Sequence, residues 1–553
     1  MIRNLWSELK RRGVVSAAIT YALAVWATLQ GVDMLADNVG LPPETWGVVF
    51  LTLLAAFPVA MIVAWKYDLT AAGIERAESQ EALLEKLRSS PATSVAVLPF
   101  RDASAAGDQA YFGDGMAAEI TTAFASVPGL GVASLTSAFA MRNVDDVREI
   151  AAALEVETVL QGEVSLDGGG ISISVNLLDG DSGVTLWTQE YARNAADIID
   201  VQEDIAREVV RHFKEELGPS SPAPRMRTHS PHPEAYELYL QARYFWTRRH
   251  EVGLDKSIEC YEDAIRIDPE YALAYAGLAD VYMFKGFYLI EEPDTAFAHA
   301  RRTIDRALRS GPKQAETHRA QGMMRTWYEW NFTEAEASFR KALELDSTDP
   351  ITPLMFGQLL AATGRRDEAR AMAERGRRLD PTSPGAVGLT AVTHAINRDG
   401  DRASELTEAV LKRDGVSFIN RYIAGTAHLG AGRYAKAIEH LEFAVDLSRR
   451  NPLIVTFLAQ AFARDGQTEH ARALLDSLSA GSAASYPYGG RAIVRAVLGE
   501  MDGVESDMDR AIERREPYLF IAGSAPLFDP LRAHPRYPEW IERIGLPLLE
   551  VGA

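Results

Sequence analysis

Cysteine is almost missing from this chain, with one residue, Cys260, in 553. No disulfide framework can form within the chain, and a single thiol among helical core residues suits a reducing compartment and simple packing. Positive charge is the second scarcity. Lys and Arg number 57 against 77 Asp and Glu, a formal net charge of −20. Phosphate backbones are held by dense basic faces and no basic block occurs, so a general role on nucleic acid is excluded and the acidity reads as a solubility feature. The third absence is local: no Lys or Arg lies between Gly13 and Trp65.

Within that stretch, Gly13–Val32 and Trp46–Trp65 carry no formal charge, and each is about 20 residues long, enough to cross a hydrocarbon core as a helix. Arg3, Lys10, Arg11 and Arg12 precede the first span, and Lys66, Arg76, Lys86 and Arg88 follow the second. The positive-inside bias predicts a two-helix transmembrane hairpin in a bacterial inner membrane, with both termini and all soluble domains cytoplasmic. The short connector with Asp33, Asp37, Glu44 and the Leu41-Pro42-Pro43 turn then faces outward, and Trp26, Trp46, Trp65 and Tyr67 include candidates for the interfacial belt. A cleaved signal peptide is the competing reading. The first run exceeds a signal core, no small-residue cleavage site follows, and a second span comes directly after it. Pro58 predicts a kink, and no ionisable residue inside either span suggests an ion path. This assigns 1–75 to the hairpin and 76–93 to a charged connector that favours helix from Glu75 to Ser89.

Residues 94–217 alternate strand and helix signals. Ser94–Phe100 (SVAVLPF) reads as a buried strand. A loop leads to Tyr111-Phe112-Gly113-Asp114-Gly115, and Met116–Ser126 has helical spacing. Gly129–Ser134 suits a strand and Val144–Leu154 a helix. Three β-rich runs follow, Thr158–Leu166, Ile171–Leu178 and Val184–Tyr191, joined by Gly- and Asp-rich hairpin turns, before an amphipathic helix, Ala196–Glu216.

This α/β unit resembles the TolB amino-terminal-like domain of bacterial membrane-anchored proteins, through SVAVLPF, YFGDGMAAEI, TSAFA, VREIAAALEVETVLQGEV, LLDGDSGVTLWTQEY and VQEDIAREVV. The resemblance extends to the anchor through ELKRRGVV and WKYDLTAAGI (Trp65–Ile74). It implies a binding or scaffold domain without catalytic residues, placed between a hairpin and helical repeats, in a family whose members sometimes add a nucleotide-cyclase or winged-helix domain. The unit's own chemical signals are weak. Gly113-Asp114-Gly115 before a helix could cradle an anion, but Asp114 would repel phosphate. Asp179, Asp181 and Gly183 resemble the start of a calcium loop, yet its remaining ligands are missing, so a turn is expected. His229 and His232 flank a Ser-Pro-Ala-rich linker, 218–232, without the further ligands of a metal site. No cofactor and no metal is expected.

Beyond the linker the sequence repeats itself. Aligning Ala264 with Ala307, Ala342, Gly376, Ala409, Ala444, Leu478 and Ala511 gives one interval of 43 and six of 33 to 35. Small residues recur 12 apart, at Gly357 with Ala369, Gly425 with Ala437 and Ala459 with Ala471, where two antiparallel helices must approach closely. Phe339, Leu441 and Leu475 fill the space beside them. Pro269, Pro312 and Pro381 fall where second helices stop, Pro350 and Pro452 where first helices begin. From 233 to 517 the chain resembles the tetratricopeptide (TPR) family, some eight helix pairs with a longer second unit around Phe287–Asp294.

Stacked pairs form a superhelix with a concave groove for a protein or peptide partner. Its candidate residues are Asp280, Gln358, Tyr422, Thr426, Thr456 and Gln460. The Lys and Asn residues that clamp a terminal carboxylate are absent from the clearest repeats, which favours an internal peptide or a folded partner. Residues 518–553, with Pro526–Leu546 the most amphipathic part, are expected to cap the apolar end of the stack. The expected function is a membrane-anchored interaction scaffold or signalling adaptor, not an enzyme, touching lipid through 13–65 and binding neither nucleic acid nor a small-molecule substrate. A cyclase domain would need well over a hundred further residues, and 12 residues before the first span cannot hold a winged helix. An accessory relative of a membrane nucleotide-cyclase protein and a periplasmic envelope-assembly factor are the alternatives.

Overall fold

The computed structural model describes residues 93–549, with breaks at 105–109, 128, 134, 168–169, 195–196, 214–223, 225–229, 249–250, 381–382, 413–416 and 480–485, and before them Leu53, 67–70 and 73–76. The expected spans 13–32 and 46–65 lie outside the described residues apart from Leu53, as do most of the connector and the linker. Among the described residues no helix is long and apolar enough to cross a membrane. The chain divides into two compact units, Met1–Ser90 and Pro91–Ala553. In the first, β1 (Tyr67–Thr70) and β2 (Gly73–Arg76) form an antiparallel hairpin. Glu75 and Arg76, expected in a helix-favouring connector, are strand residues paired with Asp68 and Tyr67.

The second unit opens with an α/β layer. Its elements are β3 (Thr93–Val97), β4 (Arg101–Asp102), α1 (Ala110–Ala125), β5 (Leu130–Val132), α2 (Leu135–Ala140), α3 (Val147–Leu154), β6 (Thr158–Asp167), β7 (Gly170–Asp179), β8 (Thr185–Asn194) and α4 (Ile198–His212). The sheet order is β5-β3-β6-β7-β8, with β4 also on β6. β3 pairs in parallel with β5 and β6, whereas β6, β7 and β8 form an antiparallel meander. Apolar β-branched residues at the centre explain the layering: Val95 and Val97 are sealed, as are Ile173 and Val175 on the alternating inner row of β7. Asp179 turns the β7–β8 hairpin by accepting from the Ser182 amide at 2.8 Å, and Gly183 supplies the left-handed residue.

Helix α1 departs from expectation. Tyr111–Gly115 are not a loop before the helix but its first turns. Gly113 backs onto the Phe100 carbonyl, 2.3 Å from where a Cβ would stand, and Gly115 closes on Leu240. These glycines serve close packing, so the amide cradle for an anion does not form.

Residues 233–513 build eight helix pairs among the described residues. They are α5 (Pro233–Arg248) with α6 (Glu251–Ile267), α7 (Ala272–Phe287) with α8 (Pro293–Ser310), α9 (Ala315–Met324) with α10 (Phe332–Leu345), and α11 (Ile351–Ala362) with α12 (Arg366–Leu379). Then come α13 (Pro384–Ile396) with α14 (Gly400–Leu411), α15 (Phe418–Gly430) with α16 (Tyr434–Leu447), α17 (Pro452–Arg464) with α18 (Thr468–Ser479), and α19 (Tyr488–Leu498) with α20 (Val504–Glu513). The close approach read from the small residues is present: a Cβ on Gly357 would stand 3.1 Å from the Ala369 carbonyl. Two 3-10 turns, Pro517–Ile521 and Pro526–Leu531, and α21 (Tyr537–Ile544) follow.

The α/β layer is docked on the first pair. Glu119 of α1, 1% exposed, meets Arg243 of α5 at 3.2 Å, and the Gln202 amide of α4 donates to the Tyr236 hydroxyl at 3.0 Å. Farther along the array, the Ser137 hydroxyl of α2 donates to Asp380 at the end of α12.

Candidate functional site

The first helices line the concave face, and their sequences decide what that face can hold. Second helices keep a polar outer side; in α12 only Ala369, Met372, Ala373 and Gly376 are buried. First helices α11 and α17 are apolar all round and buried from Thr352 to Ala362 and from Leu453 to Ala463. A helix with no polar side must be covered on every side. One cover is the second-helix layer. The other is the chain's own carboxy-terminal segment.

That segment packs on the last pair, α19 and α20, and also turns back across the concave face. Its first 3-10 turn packs against α7, α11 and a π-helical turn, Arg325–Glu329, at the end of α9. The second lies on α15 and α19, and α21 returns to α20. The cause is apolar content that the stack end alone could not bury: Tyr518, Phe528 and Trp540 are at most 2% exposed. Burial of this kind contributes roughly 2 kcal/mol per large side chain. Polar contacts fix the path. Gln460 Nε2 donates to the Leu527 carbonyl at 2.6 Å, Arg464 Nη2 to Pro526 and Leu527 at 3.0 and 3.1 Å, and Arg398 grips the Asp529 carboxylate with two bonds. Arg515 donates to the carbonyls of Tyr328 and Glu329.

Glu516 is the most unusual group of this region. It is 1% exposed and accepts from the Tyr488 and Gly489 amides at 2.7 and 2.9 Å, capping α19, and from the Tyr518 hydroxyl. Burial pushes its carboxyl up to about 6, against the pull of those donors.

The loop after α7, where the second unit is longer, reaches the same face. Tyr288 meets Phe418 and Tyr422, each at 6.0 Å between ring centroids, and its carbonyl accepts from Asn451 at 2.7 Å. Tyr422, Phe457, Tyr518 and Phe528 continue the aromatic contacts into the carboxy-terminal segment.

The six groove candidates all lie on first helices, in differing roles. Gln460 grips the internal segment. Tyr422 is a link in the aromatic row. Gln358 is buried in α11, and Thr456, also buried, returns its hydroxyl to Leu453 of its own helix. Thr426 does the same toward Tyr422 and Ile423. Asp280 stands apart. It meets Arg319 at 2.9 Å, which also meets Asp349 at 3.1 Å, a ladder between neighbouring first helices. Burial raises the Asp280 carboxyl, whereas Asp349, though equally buried, is drawn below its ordinary value by Arg319 and by the Thr352 hydroxyl. Arg398, Asn451, Glu516 and Asp529 were missed. The unbroken apolar sequences of α11 and α17 were the signal that something must cover them.

Comparison with known proteins fits this geometry. A tetratricopeptide repeat family model matches 329–392 and 428–487, and a TPR repeat model matches 254–286. The carboxy-terminal half carries tetratricopeptide repeats. Solved structures are similar at low identity. PilF of Pseudomonas aeruginosa is 17% identical with a TM-score of 0.29, covering 39% of this chain and 96% of its own. The Cut9–Hcn1 hetero-tetramer of the APC/C is 15% identical at 0.38, covering 63% and 59%. The α/β layer, 91–208, matches the model described as the second domain of HilA/YgeH-like transcriptional regulators. A curated relative, the putative adenylate cyclase 3 of Rhizobium meliloti, is 32% identical over 187 residues, 34% of this chain and 32% of that one. The chain therefore spans about a third of the length of the curated relative it matches.

Proposed function

We propose that this chain is a membrane-anchored protein-interaction scaffold or signalling adaptor, without catalysis of its own, in which a TolB amino-terminal-like unit and a TPR array are held in the cytoplasm by the hairpin 13–65. The observation that carries the reading is the TPR array itself, a surface for protein or peptide partners. Along α7, α11, α15 and α19 the concave face is taken by the chain's own segment, and displacing Tyr518 and Phe528 would cost roughly 4 kcal/mol at about 2 kcal/mol each. Partners therefore meet the outer faces of the array or its α/β layer, and Gln358, Tyr422, Thr456 and Gln460 act as internal packing. The likeness of 91–208 to a domain of transcriptional regulators supports a regulatory setting for that layer. Crosslinking and mass spectrometry on membranes carrying the full chain test this. Crosslinks from 233–513 to a second polypeptide are expected, and purely internal ones would overturn the reading. Reporter fusions after Gly218 are expected to report the cytoplasm; a periplasmic signal would favour envelope assembly instead.

The 187-residue likeness to a putative adenylate cyclase favours a second reading, an accessory or degenerate relative of a membrane nucleotide-cyclase signalling protein. Purified full-length protein is expected to make no cyclic nucleotide from ATP. Turnover would remove the non-catalytic reading.

A further inference from the structure

Helices α14, α15 and α16 bring three ligand-type side chains to one point away from the carboxy-terminal segment. His428 Nε2 lies 3.2 Å from Glu408 Oε1, and His440 Nε2 lies 3.7 Å from the same oxygen. The ligand atoms of all three residues fall within 4.8 Å of one another. The two imidazoles are stacked, with centroids 5.3 Å apart, and both histidines are buried, whereas the Glu408 side chain is 41% exposed and opens the cluster to solvent. We propose that Glu408, His428 and His440 form a site for a divalent first-row cation that favours imidazole, Zn2+ foremost, with a fourth position left for water.

The spacing supports this. Zn–N and Zn–O bonds of about 2.0–2.2 Å in a tetrahedron put ligand atoms roughly 3.3–3.6 Å apart, so small shifts suffice to seat the ion. Two imidazoles and a carboxylate are ligands that Zn2+, Cu2+ and Ni2+ accept and that Ca2+ and Mg2+ do not prefer. Burial favours the neutral imidazole, which is the form that ligates.

Two cations border the site. Lys436 Nζ is 3.4 Å from Glu408 Oε1 but 58% exposed, so it can swing into water. Arg421 Nη1 lies 3.2 Å from His440 Nδ1, and its guanidinium already covers the Phe443 ring at 4.5 Å. When Nε2 takes the metal, the ring proton moves to Nδ1, and Arg421 gives up that bond and keeps the ring. Among the described residues His428 Nδ1 has no hydrogen-bond partner, and it would carry its proton unpaired. Both effects hold affinity below that of a site with a complete outer shell.

The repeats supply an internal control. One period earlier, Glu374 and His394 stand 3.9 Å apart in the same relation, but Leu406 occupies the position of His440, so the third ligand is missing. One period later Phe462 and Leu474 stand where His428 and His440 do. His428→Phe and His440→Leu therefore insert side chains the array already accommodates.

The test is calorimetric titration of Zn2+ into the metal-stripped full-length protein, purified without a histidine tag, with visible absorption of the Co2+ form as a second readout. One ion per chain and a tetrahedral Co2+ spectrum are expected. Binding should weaken at least about tenfold in His428→Phe and His440→Leu, with circular dichroism unchanged, and tighten in Arg421→Met. Glu408→Gln, at an exposed position, keeps the test decisive should a histidine variant unfold, and it too should weaken binding. No binding to the parent chain, or binding unaltered in His440→Leu and Glu408→Gln, would overturn the proposal.

Discussion

The two ends of the concave face use opposite chemistry under one repeat period. Toward the amino-terminal end of the array, Asp280, Arg319 and Asp349 link neighbouring first helices through charge. Toward the carboxy-terminal end, α15, α17 and α19 meet an apolar segment of the same chain, and the few polar groups there read its backbone. The repeat pattern fixes how each pair packs. It leaves open what the inner face holds, and the side chains of each first helix settle that separately.

Substitutions at the two ends should separate these modes. The largest effect is expected for Phe528→Ala, which leaves a cavity in a sealed site and should cost about 4 kcal/mol in guanidinium unfolding of the full chain. A loss below about 1 kcal/mol would mean the segment is only loosely seated. At the other end, Arg319→Met strands two carboxylates that are only 15% exposed and should cost about 3 kcal/mol, since an uncompensated charge held largely out of water outweighs the attraction that was lost. If the cost is instead near zero, the ladder is not what joins those helices.

Next comes Glu516. Its folded-state value, about 6, lies above the ordinary 4.5, so the folded chain binds this proton more tightly than the unfolded one. Stability from this group is full below about pH 4.5 and is lost as pH rises through about 6, a swing of about 2 kcal/mol. Subtracting the pH–stability curve of Glu516→Gln from that of the parent should isolate this slope; parallel curves would contradict it. The smallest pair is Gln460→Ala, expected to cost about 1 kcal/mol for one bond to Leu527, against Thr426→Val, expected within about 0.5 kcal/mol because that hydroxyl bonds only its own helix. Equal effects would erase the distinction between segment contacts and self-contacts.

Much of the fold was legible because it rests on short-range rules. Small residues 12 apart and a period near 34 place the helix pairs, and the β6–β7–β8 meander follows from alternation broken by Gly and Asp. Long-range pairing was not legible. Nothing near Pro526 says that Gln460 and Arg464 will take its carbonyl and that of Leu527, and Asp529 looks like any surface acid until Arg398 faces it. Gly113 and Gly115 misled for a related reason. Glycine before an apolar run resembles a helix entry, and only the approach of Phe100 and Leu240 shows that these glycines sit inside the helix. The groove candidates all lie on first helices, but openness of a face depends on what lies across it.

The returning segment also sets an order of events during synthesis. The helix pairs leave the ribosome before the residues that seal them, so α11 and α17 stay greasy and uncovered until the turns Pro517–Ile521 and Pro526–Leu531 have been made. Repeat arrays ordinarily gain stability one neighbour at a time. Here the later pairs are completed together, by a stitch from Arg515 back to Tyr328 that skips nearly 190 positions. A nascent chain of this kind passes through a window in which its greasy first helices are open to aggregation.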